Sequence, residues 1–227
     1  KTDMSETLRN HNQSSVLDDV RRALGRTATL PPEPLEPFID PTIKADLSEL
    51  IARFTKEATA VGAQVHRVSD KLQFVDKLAE ICAESKGQEI ALSGATVFAE
   101  MNLTSALSGH VFSTFVPNDT DHEQLVSRLS NGRVGLTAAD QAIAETGTIV
   151  LSSDEPNALL LSLLPPVHIA LLRSSQVTAS LDELISRLGQ ESIGRPDPSR
   201  SVTLITGPSR TGDVELVLSI GVHGPKE

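Results

Sequence analysis

The sequence predicts an α/β fold with a mainly parallel sheet that is covered by helices on both faces. From Ile43 onward, helical and strand-like runs alternate along the chain. Residues 43–60 carry apolar side chains at helical spacing, and residues 167–172 form a continuous apolar run, which is typical of a strand buried on both faces. A repeated order of strand, helix and strand favours parallel pairing, because parallel strands need a crossover connection between them.

The other elements follow from the same two periodicities. Ser69 or Asp70 can cap a helix whose apolar face includes Leu72, Val75 and Leu78. Further helices are expected at residues 96–107, 118–129, 138–144 and 181–188, and strands at residues 63–68, 89–93, 111–116, 133–137, 148–152 and 201–206.

The first 41 residues differ in composition from the rest of the chain. An amphipathic helix is expected over residues 15–24, and five prolines then lie between Pro31 and Pro41. A segment so rich in proline is extended and joins a sheet poorly. We therefore divide the chain into an N-terminal arm, residues 1–41, and a domain, residues 42–227. The arm either packs on the domain or on a neighbouring subunit of a homo-oligomer, or it is a loosely ordered tail.

Composition excludes several classes of function. Thirty acidic against twenty basic residues give a formal net charge of −10, which disfavours nucleic acid and anionic membranes as partners. No apolar run approaches the roughly 18 residues that span a bilayer, and no signal-peptide pattern opens the sequence, so the cytoplasm is the expected compartment. The single cysteine, Cys82, allows neither an intrachain disulfide nor an iron–sulfur cluster held by this chain alone. No metal-ligand spacing or dinucleotide-binding glycine pattern is present, so we expect neither a metal nor a cofactor in this chain.

Three loops are expected at the carboxyl edge of the sheet, which is where ligands bind in folds of this class. They are Ser93-Gly94-Ala95, Glu145-Thr146-Gly147 and the segment from Gly207 to Asp213. The sequence therefore makes Gly94 and Glu145 candidates for a site together with the C-terminal loop.

The C-terminal loop offers the chemistry of an anion site. Gly207 provides a turn, Ser209 and Thr211 provide hydroxyl groups, and Arg210 provides a guanidinium that can bind a carboxylate or phosphate. The alternative is a purely structural connection in which Ser209 or Thr211 caps the turn and Arg210 pairs with Asp213. The residue types alone leave both interpretations open.

His223 and Glu145 are the candidates for catalysis, and His168 is considered beside them. His223 lies between glycines, where its ring could approach a ligand closely. His168 begins a buried-looking strand and needs a hydrogen-bond partner there, so a structural role is the simpler interpretation. Glu145 lies on a glycine-containing turn and could be a base, a nucleophile or an ion-pair partner.

Four segments in a fixed order closely resemble the LUD-domain family, whose name derives from lactate utilisation. They are residues 139–148 with Ala-Glu-Thr-Gly-Thr, residues 163–169 with Leu-Leu-Pro-Pro-Val-His-Ile, residues 207–215, and Gly-Val-His-Gly-Pro at 221–225. The resemblance covers residues 133–225 and is looser over residues 43–129. It implies a three-layer α/β/α sandwich of the NagB/RpiA/CoA-transferase-like type.

The resemblance also implies a role in the oxidation of L-lactate to pyruvate, alongside companion proteins that carry iron–sulfur clusters. In that role the chain would bind a small carboxylate or phosphate at Arg210, with Glu145 and His223 lining the same cleft. Two alternatives stay open. The turn Glu145-Thr-Gly is similar to the Glu-Asn-Gly turn of CoA-transferases, which implies acyl transfer through Glu145. The chain could also be a module that senses a small carboxylate without chemistry. Members of the family usually continue past the His-Gly-Pro sequence into another apolar strand, so we expect an altered edge beside His223.

Overall fold

The computed structural model describes residues 18–23, 25, 46–85, 89–108, 110, 113–117, 122–130, 134–152, 157–192, 201–212, 218–220 and 224–225. The chain forms two compact units, Lys1–Phe38 and Ile39–Glu227. In the first unit, residues 18–23 form an exposed helix, α1, inside the range 15–24 for which the sequence predicts one. The proline-rich stretch lies outside the described residues, and the division at residue 41 stays a prediction.

The second unit alternates helices and strands. In chain order its described elements are α2 (Leu47–Ala60), α3 (Lys71–Glu84), β1 (Glu89–Leu92), α4 (Thr96–Glu100), α5 (Leu103–Leu107), β2 (Ser113–Phe115), α6 (His122–Ser130), β3 (Val134–Ala138), β4 (Gln141–Ile143), β5 (Thr148–Ser152), α7 (Ala158–Leu163), β6 (Val167–Leu171), a 3₁₀ turn (Ser174–Gln176), β7 (Val177–Thr178), α8 (Leu181–Ser192), β8 (Val202–Ile205), β9 (Arg210–Gly212) and β10 (Leu218–Ile220).

A parallel four-stranded sheet with helices on both faces forms the first of two layered parts of the second unit. Its strand order is β2-β1-β3-β6, and every pair in it is parallel. On one face, Ile90 and Leu92 of β1 pack with buried residues of α3, α4 and α5. On the other face, Ala91 packs with Leu129 of α6 and Leu161 of α7. The α/β fold with helices on both faces of a parallel sheet is therefore confirmed.

A second, mixed sheet was not expected. Its order is β7-β4-β5-β8, and β5 runs antiparallel to both of its neighbours. Helix α2 covers one face through Phe54 and Ala58, whereas Leu184 of α8 packs with Ile143 and Val150 on the other. The connection between β4 and β5 is the four-residue turn 144–147, which is too short for the crossover that a parallel pair would need.

Several expectations for single elements are wrong. Residues 138–144 were expected to be helical, but Gln141–Ile143 is strand β4, because Ala142 and Ala144 face α2 while Ile143 faces α8. Residues 63–68 pair with no strand. The helix expected over residues 96–107 is two short helices, separated at Asn102 by a left-handed backbone conformation with φ of 46°.

Two further findings concern helices α7 and α3. Helix α7 was not expected, because its run of leucines is short and carries no helical period. Asp70 does cap α3, since its carboxylate accepts a hydrogen bond from the backbone N–H of Gln73 at 2.9 Å.

Candidate functional site

An open cavity of about 1280 Å³ lies in the second unit. Its walls come from α2, the irregular segment after it, α3, and strands β6 and β8. Strand β6 ends the parallel sheet and β8 ends the mixed sheet, so one outer strand of each sheet lines the same space. The cavity is therefore the place where groups from both sheets can reach one ligand.

The C-terminal loop approaches the end of α2 very closely. Gly207 has a φ of 71°, and a Cβ atom there would come 2.6 Å from the carbonyl oxygen of Val61. Only glycine fits this position without strain, because the left-handed conformation and the close approach both exclude a side chain. The glycine that the sequence marks as a turn therefore holds the loop against the C-terminal end of α2.

The two C-terminal motifs lie side by side. The backbone N–H of Ser209 donates a hydrogen bond to the carbonyl oxygen of Pro225 at 3.0 Å, and Gly224 packs on the Ser209 side chain. Ser209, Gly224 and Pro225 all line the cavity. His223 and Asp213 lie outside the described residues, and Thr211 is described only by its backbone in β9.

Arg210 points back to helix α2. Its Nη2 donates a hydrogen bond to the carbonyl oxygen of Val61, the C-cap residue of α2, where the helix dipole favours a cation. The guanidinium has five N–H donors, and this contact uses one nitrogen of it. Arg210 is exposed and lines the cavity, and its other nitrogens make no hydrogen bond to the residues that the structure describes.

The cavity carries two guanidinium groups that form no ion pair with any residue the structure describes. Among its cations, Lys77 pairs with Glu80, and Arg173 lies 3.6 Å from Glu100. Arg67 and Arg210 contact no carboxylate within the described part of the chain. Carboxylates also line the cavity, namely those of Asp70, Glu84 and Glu100. Two cations that contact no carboxylate of the described residues, on a chain with a net charge of −10, favour the binding of an anion at these positions.

His168 lies in the cavity wall and is held at one ring nitrogen. Its Nε2 is 2.9 Å from the hydroxyl oxygen of Thr137, a fully buried residue of the neighbouring strand. The side chain is half-buried because one side faces the cavity, yet protein atoms surround the ring closely. This burial lowers the pKa of the imidazole from its ordinary 6.5 to about 4, so the ring is neutral at physiological pH.

Glu145 lies at the N-terminal end of α8. Its Oε1 accepts a hydrogen bond from the backbone N–H of Leu181 at 2.8 Å, and its own N–H donates to the carbonyl oxygen of Ala179 at 3.2 Å. A carboxylate is stabilised at this end of a helix by the dipole and by the unpaired N–H groups. Glu145 does not line the cavity that contains Arg210.

A row of hydroxyl groups joins the Glu145 turn to the C-terminal loop. The side-chain oxygens of Thr146, Thr148 and Thr206 are successively 2.6 and 2.7 Å apart. Gly147, in the same turn, has a φ of 65°, and a Cβ atom there would lie 2.1 Å from the backbone nitrogen of Ala58. The turn therefore packs on α2, and Gly147 lines the cavity.

The structure thus brings together two of the three loops that the sequence places at one edge. Gly94 belongs to the other sheet: it follows β1, is exposed and does not line the cavity. Arg67 is not among the predicted site residues, because it lies within residues 63–68, which the sequence assigns to a strand, and belongs to no motif. The only signal for it is a cation close after α2 on an acidic chain.

Three further observations concern metal binding, the single cysteine and membrane-spanning helices. No group of three His, Cys, Asp or Glu side chains within the described ranges is arranged to hold a metal ion. Cys82 is 1% exposed, and burial raises the pKa of its thiol to about 11, so it remains protonated at neutral pH. None of the helices in the described ranges is both long enough and apolar enough to cross a membrane.

Fold and cavity together define a mixed α/β protein in which a parallel sheet and a small mixed sheet share an open, arginine-lined cavity. The chain belongs to the LUD domain family, whose sequence profile matches residues 51–227. It is 26% identical over 219 residues to the uncharacterized protein YkgG of Escherichia coli, covering 94% of each chain.

Other relatives carry a more specific name. The chain is 26% identical over 220 residues to lactate utilization protein C of Halalkalibacterium halodurans, again over 94% of each chain. It is 25% identical over 223 residues to lactate utilization protein C of Bacillus subtilis, over 94% of this chain and 92% of that one. A crystal structure of a DUF162 family protein from Deinococcus radiodurans superposes with a TM-score of 0.55 at 20% identity, covering 80% of this chain and 94% of the other. That likeness supports the fold.

Proposed function

We propose that this chain is a component of an L-lactate utilisation system that oxidises lactate to pyruvate in the cytoplasm. The observation that carries the proposal is the similarity to proteins named lactate utilization protein C over 94% of both chains. Oxidation of lactate to pyruvate releases two electrons and two protons. Because this chain has one cysteine, which is buried, companion proteins with iron–sulfur clusters would accept the electrons.

Within this system the chain would bind a small anion in the cavity. Arg67 and Arg210 are the cations there that contact no carboxylate within the described residues, and a guanidinium binds carboxylate or phosphate through paired hydrogen bonds. The Gly207 turn, Ser209 and Thr211 would add hydrogen bonds, and Asp213 and His223 follow closely in the sequence. A carboxylate such as lactate or pyruvate, or a phosphate, has the chemistry that these groups recognise.

Reconstitution tests the role in lactate oxidation. The purified chain is combined with the companion iron–sulfur proteins of its own organism, and the oxidation of L-lactate is followed with an artificial electron acceptor. We expect the complete set to oxidise lactate, and we expect the companion proteins to co-purify with this chain. Equal activity of the set without this chain would show that the proposal is wrong.

Thermal unfolding tests the anion site separately. L-lactate, pyruvate, sugar phosphates and CoA are each added to the protein, and the shift in Tm is measured. In the variant Arg210→Gln we expect affinity for the best anion to fall by about tenfold or more, since a charged hydrogen bond is lost. Arg53→Gln is the matched control, because Arg53 is exposed on α2 and does not line the cavity. Equal losses in both variants would remove Arg210 from the site.

A further inference from the structure

Nδ1 of His168 is the ring nitrogen that no residue in the described part of the chain contacts. Nε2 contacts the Thr137 hydroxyl, and no hydrogen bond to Nδ1 is made within the described residues. In that part of the chain, the fully buried side-chain polar atoms without a partner are Ser93 Oγ and Gln141 Oε1. His168 itself lines the cavity, so the space beside its ring is the cavity.

The ring is therefore fixed at one nitrogen and open at the other. Thr137 is completely buried in β3, so its hydroxyl reaches the cavity only through His168. The five residues of β6 are all half-buried, which leaves the His168 side of this outer strand accessible. A buried imidazole held in this way has little rotational freedom, so a ligand that bonds to Nδ1 loses little entropy in ordering it.

The Thr137 hydroxyl can set the hydrogen-bonding character of Nδ1. When the hydroxyl donates to Nε2, the proton of the neutral ring lies on Nδ1, which then donates to a carbonyl oxygen. When Nε2–H donates to the hydroxyl, Nδ1 is bare and accepts a hydrogen bond from a hydroxyl group. Rotation of one O–H bond and a change of tautomer therefore suit the same position to a ketone or to an alcohol, with no change in charge.

We propose that His168 is the residue of the cavity that contacts the uncharged C2 oxygen of a small carboxylate, and that Thr137 positions it. This inference rests on the proposed function, in which such an acid enters the cavity. It narrows the ligand class to 2-hydroxy and 2-oxo acids, the substrate and the product of lactate oxidation. A neutral imidazole recognises the oxygen on C2, whereas a guanidinium of the cavity binds the carboxylate.

Propionate provides the test, because it is L-lactate without the C2 hydroxyl. Kd is measured by calorimetry for L-lactate, pyruvate and propionate. In the natural protein both oxygenated acids should bind about three- to tenfold more tightly than propionate, the range that one neutral hydrogen bond gives. In His168→Leu this preference should disappear while propionate binding is retained. A variant with only a structural defect would instead bind all three acids more weakly, by the same factor.

Further variants keep the test decisive. Thr137→Val should reduce the preference, and Thr137→Ser should restore it, because serine keeps the hydroxyl. His168→Met serves if His168→Leu does not fold, because methionine has neither an N–H donor nor a strong acceptor, and it should lose the preference for both oxygenated acids but not the affinity for propionate. If the natural protein binds propionate as tightly as the other acids, or if His168→Leu keeps the preference, the inference is wrong while the anion site stands. If none of the three acids binds, the inference fails together with the binding of a small carboxylate in the cavity, and binding of a phosphate there and the role in lactate oxidation are decided by the thermal-unfolding and reconstitution experiments.

Discussion

Acidification should destabilise the protein through His168. The pKa of this imidazole falls from 6.5 to about 4 on folding because the ring is buried. The folded state therefore keeps the ring neutral at a pH where the unfolded chain takes up a proton. For a group whose pKa is lowered on folding and whose protonated form is charged, the stabilisation is complete above the unfolded pKa. It is lost as the pH falls from about 6.5 towards about 4.

The size of the loss follows from the two pKa values. Between about pH 7.5 and about pH 5.5, the linkage relation gives a decrease of about 1.4 kcal/mol in the free energy of unfolding from this one group. Urea denaturation at both pH values measures the decrease. His168→Gln is the control, because glutamine does not titrate, can keep a hydrogen bond to Thr137 and shares every other titrating group with the natural protein.

The comparison isolates His168. We expect the natural protein to lose about 1.4 kcal/mol more than His168→Gln over this pH interval. An equal decrease in both proteins would mean that the ring is protonated at the same pH in the folded and unfolded chains. The close packing around the ring would then not control its charge, and the assignment of a neutral imidazole to the cavity wall would be refuted.

Two further predictions concern the turn between β4 and β5. Gly147→Ala should cost more than about 2 kcal/mol in urea denaturation, because the left-handed backbone is strained for alanine and the new Cβ meets the backbone of Ala58 at 2.1 Å. Gly189→Ala, in α8 with no atom within 4 Å of the new Cβ, should instead gain roughly 0.5–1 kcal/mol, and a similar loss at both sites would contradict the packing on α2. Glu145→Gln should lower the free energy of unfolding by roughly 0.5–1 kcal/mol, because it removes a negative charge from the N-terminal end of α8. Its rate of lactate oxidation in the reconstituted set should stay within about twofold of the natural protein; a loss of about a hundredfold would instead support Glu145 as a base or nucleophile.

Sequence periodicity predicted correctly those elements that are long, or whose hydrogen-bond partners lie only a few residues away in the chain. Residues 71–84 show a clear helical period and an aspartate at the start, and both the helix and its cap follow. The prediction of a helix over residues 138–144 was wrong because the four alanines there satisfy a helical and a strand pattern equally well. Only the partners of Ala142 and Ile143, which are α2 on one face and α8 on the other, decide between the two.

Some residues of the candidate site were likewise predictable from the sequence, and others were not. Residue types alone marked the segment 207–210 as a candidate anion site, whereas its contact with Pro225 is seen only in the tertiary structure. The position of Glu145 was not predictable, because its partner Leu181 lies 36 residues away at the start of a helix. Arg67 entered the site only because α2 and the C-terminal loop enclose the same cavity.

The sequence by itself determined the α/β class, the order of most elements and the family, because these depend on periodicity and on motifs that are read along the chain. The tertiary structure decided that there are two main sheets, which loops share a cavity, and that Gly94 and Glu145 do not line the cavity that Arg210 lines. It also decided the state of His168, whose pKa depends on burial and whose orientation depends on a hydroxyl 31 residues away. Packing and desolvation join residues that are distant in the chain, and no local pattern encodes those distances.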